Sequence, residues 1–193
     1  CLSTKMYDVT NYAFFSGNMN EANVIAQRMD DEMNALEAKK CVLAECGHGS
    51  RAFKWEGPNY INKKLPYEVI TSVELLAQYI REGKIKVDPD RLKEVVTLHD
   101  PCNVVRGGGL HELARYVINE TCSSFVEMHP NREHNYCCSA GGGVINCGPP
   151  YTNKRVIGNS VKADQLSDAK ARGAKTIIAP CHNCHGGLEE SVK

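Results

Sequence analysis

The sequence predicts an α/β fold with a mainly parallel sheet, because short apolar runs alternate with longer segments of helical periodicity. A cysteine follows each of three such runs: Cys46, Cys102 and Cys181. Ligands of open parallel sheets bind beyond the carboxyl ends of the strands, so we expect the chemistry of this protein in these loops. The three runs have the composition of buried strands and cover residues 41–44, 95–98 and 176–179.

The remaining elements follow from the spacing of apolar residues. Helical periodicity predicts helices over residues 20–39, 67–81, 110–119 and 153–172. Residues 9–15 are predicted to form a short strand or an apolar loop, and residues 125–128 a further strand. A polar loop is predicted around Trp55, and a turn from Cys181 to Cys184.

Length and charge limit the classes of protein to consider. The 193 residues are enough for one large domain or two small ones. Lys and Arg together number 23, as do Asp and Glu, so no general attraction to nucleic acid is expected. No apolar run is long enough to span a bilayer, and no signal-peptide pattern is present. Because the chain starts with Cys1, we expect a fragment of a longer protein.

The chain contains ten cysteines. A disulfide-stapled secreted protein is disfavoured, because that composition belongs to short chains with small cores, whereas this chain has long helical and strand patterns. We expect a reduced, metal-bearing intracellular protein. Half of the cysteines fall into three groups with small or turn-forming neighbours: Cys102, then Cys137 and Cys138, then Cys181 and Cys184.

The adjacent cysteines Cys137 and Cys138 distinguish this set from an ordinary Cys-x-x-Cys pair. In an extended segment neighbouring side chains point to opposite faces, so two adjacent thiolates do not easily reach one small ion. They can hold a larger cluster, whose irons lie apart and prefer thiolate ligands. The glycines at 141–143 leave backbone N–H groups free to approach an inorganic core. The set therefore predicts an iron–sulfur site.

An internal repeat relates the two ends of the chain. Residues 40–46 align with residues 175–181, so Cys46 corresponds to Cys181 at an offset of 135 residues. The second cysteine of the Cys-x-x-Cys pair has no counterpart, because Gly49 takes its place.

The repeat predicts two halves with different roles. Residues 1–90 are predicted to be a degenerate first half that is incomplete at its amino terminus. Residues 91–193 are predicted to be the cluster-binding half. Cys1 and Cys46 are interpreted as remnants of the ligand set that the first half has lost.

The region from His99 to Leu188 resembles the cysteine-rich CCG domain of heterodisulfide reductase B-type subunits. It is most similar to the heterodisulfide-reductase-like iron–sulfur subunits of the membrane redox complexes of sulfate reducers, the DsrK, HmcF and TmcB type. Ser139 departs from the family, which has glycine after the cysteine pair, and this exchange of one small residue for another should be tolerated. The segments that carry the resemblance are residues 135–138, 141–150 and 179–187.

The resemblance implies pseudo-duplicated Rossmann-like CCG domains and a non-cubane 4Fe-4S cluster that reduces or oxidises a disulfide or trisulfide. The implied substrate is a small sulfur-carrier protein of the DsrC type. Electrons would come from a membrane quinol through a cytochrome b-like subunit and a ferredoxin-type domain, which places the protein peripherally on the cytoplasmic face of the membrane. The implied cluster ligands are Cys102, Cys137, Cys138, Cys181 and Cys184.

Two other functions stay open. An electron-relay subunit of a glycolate-, lactate- or succinate–quinone oxidoreductase would use the same domain only to pass on electrons. A zinc-stabilised interaction module would need four ligands in a closed site, which leaves the fifth thiolate and the adjacent pair unexplained. A nucleotide site is rejected, because no G-x-G-x-x-G loop stands between a predicted strand and a helix.

Three histidines are candidates for hydrogen bonds to cluster sulfur or for proton delivery to a leaving thiolate: His99, His182 and His185. For each of them an ordinary turn or surface position is the alternative. Cys147 is expected to be a bystander thiol in a loop, and Cys41 and Cys122 to be core residues. His48 occupies the matching turn of the first half, where a structural role is equally compatible with the sequence.

Overall fold

The computed structural model describes residues 3, 11–44, 46–144 and 147–192. Within these ranges the chain forms an α/β fold, as the sequence predicts. Cys1 lies outside them, and so do residues 9 and 10 of the first predicted segment.

In the first half, helices surround a parallel two-stranded sheet. Its elements are α1 (Asn11–Ser16), α2 (Met19–Ala35), β1 (Lys40–Leu43), α3 (Gly47–Gly49), a π-helical turn (Ser50–Trp55), α4 (Gly57–Tyr60), β2 (Glu68–Thr71) and α5 (Ser72–Arg81). Strand β1 pairs with β2 from Lys40 opposite Glu68 to Leu43 opposite Thr71. The largest buried cluster of this half contains Met29, Met33, Cys41, Leu43, Phe53 and Tyr67.

In the second half, a second parallel pair of strands carries the cysteine loops. Its elements are a 3₁₀ turn (Pro89–Arg91), β3 (Val96–Leu98), a π-helical turn (Cys102–Arg106), α6 (His111–Thr121), a 3₁₀ turn (Arg132–His134), α7 (Pro149–Ala171), β4 (Thr176–Ile178) and α8 (His182–Ser191). Val96 pairs with Thr176 on one side and forms a parallel bridge to Phe125 on the other. The predicted strand at 125–128 is thus present only as this bridge.

The pairing of β3 with β4 brings two predicted loops to the same edge of the sheet. Leu98 lies opposite Ile178, and the His99 N–H donates a 2.9 Å hydrogen bond to the Ile178 carbonyl. The chain therefore leaves both strands side by side, and the loops that contain Cys102 and Cys181 begin at neighbouring points.

Two predictions in the first half are wrong. Residues 11–16 form a helix rather than a strand or loop. The segment predicted as one helix over 67–81 contains β2 before α5, because the β-branched Val69 and Ile70 pair with β1. Thr71 then starts the helix: its hydroxyl accepts from the Glu74 N–H, and the Glu74 carboxylate accepts from the Thr71 N–H.

Two predicted irregular segments are helical. The residues around Trp55 form the π-helical turn and α4 instead of a polar loop. The predicted turn from Cys181 to Cys184 is the amino terminus of α8, with Cys181 at the cap position. The amino terminus of a helix has free backbone N–H groups, so α8 places the Cys-x-x-Cys pair in more positive surroundings than a simple turn would.

A buried ion-pair group holds the loop after β3 in place. Arg115 of α6 binds both carboxylate oxygens of Asp100, at 2.8 and 3.0 Å, and both oxygens of Glu127, at 2.6 and 2.8 Å. The Arg132 N–H adds a 2.7 Å bond to Asp100. Burial by itself raises the pKa of Asp100, but the bonds from Arg115 and from the Arg132 N–H outweigh it and lower the pKa.

We expect Arg115→Met to lower the free energy of unfolding by about 3–5 kcal/mol, because it leaves the fully buried Asp100 carboxylate without its guanidinium partner. The matched control is Arg172→Met, which removes an exposed pair with Asp168 and is expected to cost less than about 1 kcal/mol. Urea unfolding monitored by circular dichroism measures both variants. Equal losses in the two variants would contradict this role of Arg115.

Candidate metal centre

Three segments bring cysteines to the edge of the sheet beyond β3 and β4. Cys102 opens the π-helical turn after β3, and Cys181 caps α8 after β4. Cys184 lies in the first turn of α8. Cys137 and Cys138 lie in the loop between the second 3₁₀ turn and α7. A small cavity among these segments is lined by all of these cysteines except Cys181, together with polar residues of the same loops.

Cys138 lies at the centre of the group. Its sulfur interacts with the thiols of Cys137 and Cys184, and the ring of His99 lies beside it. The ligand atoms of His99, Cys138 and Cys184 lie within 4.8 Å of one another, and all three side chains are buried. Cys102 interacts electrostatically with Cys138. Residues from three separate segments thus converge on one buried sulfur.

Hydrogen bonds determine which of these thiols ionise. The contact with the Cys137 thiol, followed by that with the Cys184 thiol, lowers the pKa of Cys138 far below that of a free cysteine. The same contacts raise the pKa of Cys137 and of Cys184. The Cys184 thiol, together with the Gly47 N–H, lowers the pKa of Cys181 to about 6 although burial opposes ionisation. Cys138 and Cys181 are therefore the preferred thiolates.

Helix α8 packs so closely on the cysteine loop that a side chain would not fit between them. A Cβ atom at Gly187 would lie 2.2 Å from the Cys138 carbonyl oxygen and 2.8 Å from the Ala140 Cβ. The Cys-x-x-Cys pair and the adjacent cysteines are consequently held together by backbone contact, independently of any metal.

Residues 96–189 match the family CCG, described as a cysteine-rich domain. This part of the chain is a CCG domain. The matched range includes all five predicted ligands and both strands of the second sheet.

The chain is also similar to heterodisulfide-reductase-like proteins. A subunit of the dihydromethanophenazine:CoB–CoM heterodisulfide reductase of Methanosarcina mazei is 34% identical over 176 residues, which are 90% of this chain and 41% of that protein. An Hdr-like menaquinol oxidoreductase iron–sulfur subunit of Archaeoglobus profundus is 45% identical over 76 residues, 38% of this chain and 14% of that protein. The EtfAB:quinone oxidoreductase of Syntrophomonas wolfei is 28% identical over 200 residues, 100% of this chain and 26% of that protein.

These matches confirm the resemblance drawn from the sequence: the chain is a heterodisulfide-reductase-like CCG protein. It spans about two fifths of the length of the Methanosarcina mazei relative. No solved structure matches it.

Ser139 directly follows the cysteine pair, in a backbone conformation that favours glycine. The residue has φ of 64°, in the left-handed region that costs a residue with a side chain about 1–2 kcal/mol. Helix α7 accommodates the serine, because a Cβ at Gly158 would lie 2.1 Å from the Ser139 hydroxyl. Arg155, one turn earlier in α7, donates a 3.0 Å bond to the Ser139 carbonyl.

The first half of the chain forms one wall of the centre. His48 Nε2 accepts a 3.1 Å bond from the Gly142 N–H, and its Nδ1 lies 3.0 Å from the side-chain amide of Asn183. His48 and Asn183 are 135 residues apart, which is the offset of the repeat. The equivalent turns of the two halves therefore contact each other directly.

A polar network lies beneath the cysteines and includes a residue that the sequence analysis missed. Lys162 of α7 is fully buried, and its ammonium donates to Asn135, Tyr136 and Gln165. Asn135 in turn contacts His99 at 3.1 Å. The sequence does contain a signal for the burial of Lys162. At helical spacing, Lys162 and Gln165 lie on the same face of α7 as the apolar residues Leu166 and Ala169.

The three candidate histidines have different surroundings. His99 is buried against Cys138. His182 is exposed, and so is His185, whose Nε2 lies 3.6 Å from a Glu189 oxygen. Proton delivery by His182 or His185 stays a prediction.

The other cysteines differ from the five in their surroundings. Cys41 is buried in the core of the first half, and this burial raises its pKa to about 11. Cys122 is buried in the core around β3. Cys147 is exposed, and its thiol donates to the Gly143 carbonyl at 3.5 Å. Cys46 caps α3, where its sulfur accepts from the Gly49 N–H at 3.3 Å.

We expect Gly187→Ala to disrupt the contact between α8 and the cysteine loop and to destabilise the protein by about 1–3 kcal/mol. Gly186→Ala is the matched control, because nothing lies within 4 Å of its Cβ position and both changes raise helix propensity by up to about 1 kcal/mol. Thermal unfolding and bound iron per chain are measured for both. Unchanged stability and iron in Gly187→Ala would contradict the close packing.

Proposed function

We propose that this chain is the cluster-bearing part of an iron–sulfur oxidoreductase subunit, with its catalytic site at the CCG domain. The observation that carries the proposal is the convergence of five cysteines from three segments around one buried thiolate. The proposed ligands are Cys102, Cys137, Cys138, Cys181 and Cys184.

The chemistry of this donor set fits an iron–sulfur cluster of the non-cubane 4Fe-4S type. Thiolates are the preferred ligands of iron–sulfur clusters, and two of the five cysteines are already biased toward the thiolate form. Cys138 is buried whereas Cys137 is exposed, and both line the same small cavity together with Cys102 and Cys184. Several thiols around one cavity suit a polynuclear cluster.

The proposed reaction is the interconversion of a disulfide or trisulfide with thiols. Reduction of a disulfide consumes two electrons and two protons, breaks one S–S bond and releases two thiols. The cluster, when bound, supplies electrons one at a time from one-electron carriers.

The residues around the cysteines have separate roles in this reaction. The exposed Cys137 and Tyr136 face solvent on the side from which a sulfur substrate would approach. Arg106, at the same cavity, is held by a 2.6 Å bond to the Glu133 carbonyl and presents a positive charge there. His99 donates toward Cys138 from the buried side, where the packing excludes water.

The proposed partners follow from the family. One relative is named an Hdr-like menaquinol oxidoreductase iron–sulfur subunit, which supports electron delivery from a quinol. We propose that these electrons pass through a cytochrome b-like subunit and a ferredoxin-type domain. We propose a small sulfur-carrier protein of the DsrC type as the substrate, and attachment to the cytoplasmic face of the membrane through the partner subunits. Among the described residues, no helix combines the length and apolar character required to cross a membrane.

A second candidate function is the electron relay. The EtfAB:quinone oxidoreductase relative aligns with 100% of this chain, and its name contains no disulfide substrate. In a relay the cluster changes oxidation state without binding a substrate sulfur. In a relay the exposed Cys137 would not contact a substrate. A change in the EPR signal on adding a small thiol would therefore distinguish the two candidates.

We expect anaerobically purified protein to contain about four irons per chain and to show a low-temperature EPR signal after oxidation. Cys137→Ser and Cys138→Ser should each lose that signal and most of the iron, because each removes a proposed ligand. The matched control is Cys147→Ser, which changes an exposed cysteine of the following loop and should retain both.

The same samples separate the remaining candidates. A change in the EPR signal on adding a small thiol to the oxidised protein supports substrate chemistry, whereas an unchanged signal supports the relay. One zinc per chain without iron would overturn the proposal and favour a structural site at His99, Cys138 and Cys184.

A further inference from the structure

The Lys162 ammonium is buried without a carboxylate partner among the described residues. Its side chain is 0% exposed, and its three donors are used by three neutral oxygens: Gln165 Oε1 at 2.5 Å, Asn135 Oδ1 at 3.2 Å and the Tyr136 carbonyl at 3.2 Å. Hydrogen bonds to neutral groups do not compensate the charge of a buried ammonium, which is costly to remove from water. A negative charge nearby is needed to explain why the ammonium is kept.

The Cys138 thiolate supplies that charge. Burial lowers the pKa of Lys162 to about 8, and the negative charge of Cys138 is the first that opposes this effect. Asp100 contributes less, and its carboxylate is already bound by Arg115.

A series of hydrogen bonds runs from Lys162 through Asn135 to His99, beside Cys138, and it has a fixed direction. Asn135 Oδ1 accepts from Lys162 and also from Gln165, at 3.0 Å, so the Asn135 amide nitrogen faces the other way. That nitrogen donates to the Asp100 carbonyl at 2.9 Å and to His99 Nδ1 at 3.1 Å. Because Nδ1 accepts, the proton of the neutral ring is on Nε2.

His99 is the last member of this chain of hydrogen bonds. The ring is buried, and one of its nitrogens lies within 4.8 Å of the Cys138 sulfur. Lys162 donates to Asn135 and Asn135 donates to His99, so these hydrogen bonds run in one direction toward that sulfur. Hydrogen bonds aligned in this way polarise one another, and the buried ammonium at their origin strengthens the effect.

We propose that Lys162 is a positioning residue that raises the reduction potential of the cluster through Asn135 and His99. This inference rests on the proposed function, since it concerns the cluster held by the five cysteines. A reduced cluster carries one more negative charge than an oxidised one, so a fixed positive charge and aligned donors favour the reduced state.

A purely structural role for Lys162 predicts a different outcome. Replacement of the buried ammonium by an apolar residue of similar volume removes the desolvation cost of a charge, which offsets part of the loss of its hydrogen bonds. Methionine is unbranched and adapts to irregular space, and Met128 already contacts the ammonium through its sulfur at 3.8 Å. Lys162→Met is therefore expected to fold, to bind iron and to differ from the natural protein chiefly in its potential.

The test is a redox titration of the EPR signal on iron-loaded Lys162→Met, with Lys170→Met as the matched control. Lys170 is exposed on the same helix, and Lys170→Met changes the net charge by the same amount as Lys162→Met. At a fixed solution potential, we expect the ratio of oxidised to reduced cluster to rise about tenfold in Lys162→Met, which corresponds to about 59 mV for one electron. Lys170→Met should titrate like the natural protein, and Lys162→Arg, which keeps the charge, should shift less than Lys162→Met.

Gln165→Glu provides a second route if Lys162→Met does not fold. It keeps the lysine and the side-chain shape but places a carboxylate beside the ammonium, and we expect it to shift the ratio in the same direction. Equal potentials in Lys162→Met and Lys170→Met at full iron content would overturn this inference and leave the proposed function intact. Loss of iron from folded Lys162→Met would show a structural role and overturn it as well. Absence of iron from the natural protein would overturn the proposed function and the inference together.

Discussion

The arrangement of the second half depends on the buried thiolate of Cys138. Parallel pairing of β3 with β4 brings the loops of Cys102 and Cys181 to one edge of the sheet, but the pairing alone does not close the site. The cysteine pair is held against α8 by direct backbone contact at Gly187. The thiols of Cys137 and Cys184 lower the pKa of Cys138, which favours a thiolate at this point.

Two buried cationic residues near this charge, Arg115 and Lys162, have different effects. The charge of Arg115 is paired with nearby carboxylates, since its guanidinium binds Asp100 and Glu127. Lys162 has no carboxylate of this kind among the described residues, and its charge is opposed mainly by the cysteines. The first group therefore stabilises the loop whether or not the site is loaded, whereas the second acquires its full effect only when the cysteines carry negative charge.

The first half of the chain contributes to the site although it carries none of the five proposed ligands. It lacks the cysteine that would match Cys184, yet its turn after β1 packs against the corresponding turn of the second half. His48 joins the Gly142 N–H to the side chain of Asn183, and the Gly47 N–H lowers the pKa of Cys181. The first half thus contributes hydrogen bonds to the loops that carry the proposed ligands.

The sequence by itself determined the fold class, the family and the five clustered cysteines, because periodicity, spacing and adjacent cysteines are local patterns along the chain. It did not predict that residues 67–81 divide into a strand and a helix, since the strand forms only by pairing with β1. Tertiary structure alone decided that His99 is buried at Cys138 while His182 and His185 are exposed. It also decided the role of Lys162: helical spacing places this lysine on the same face of α7 as Leu166 and Ala169, but only the folded chain shows which distant residues that face meets.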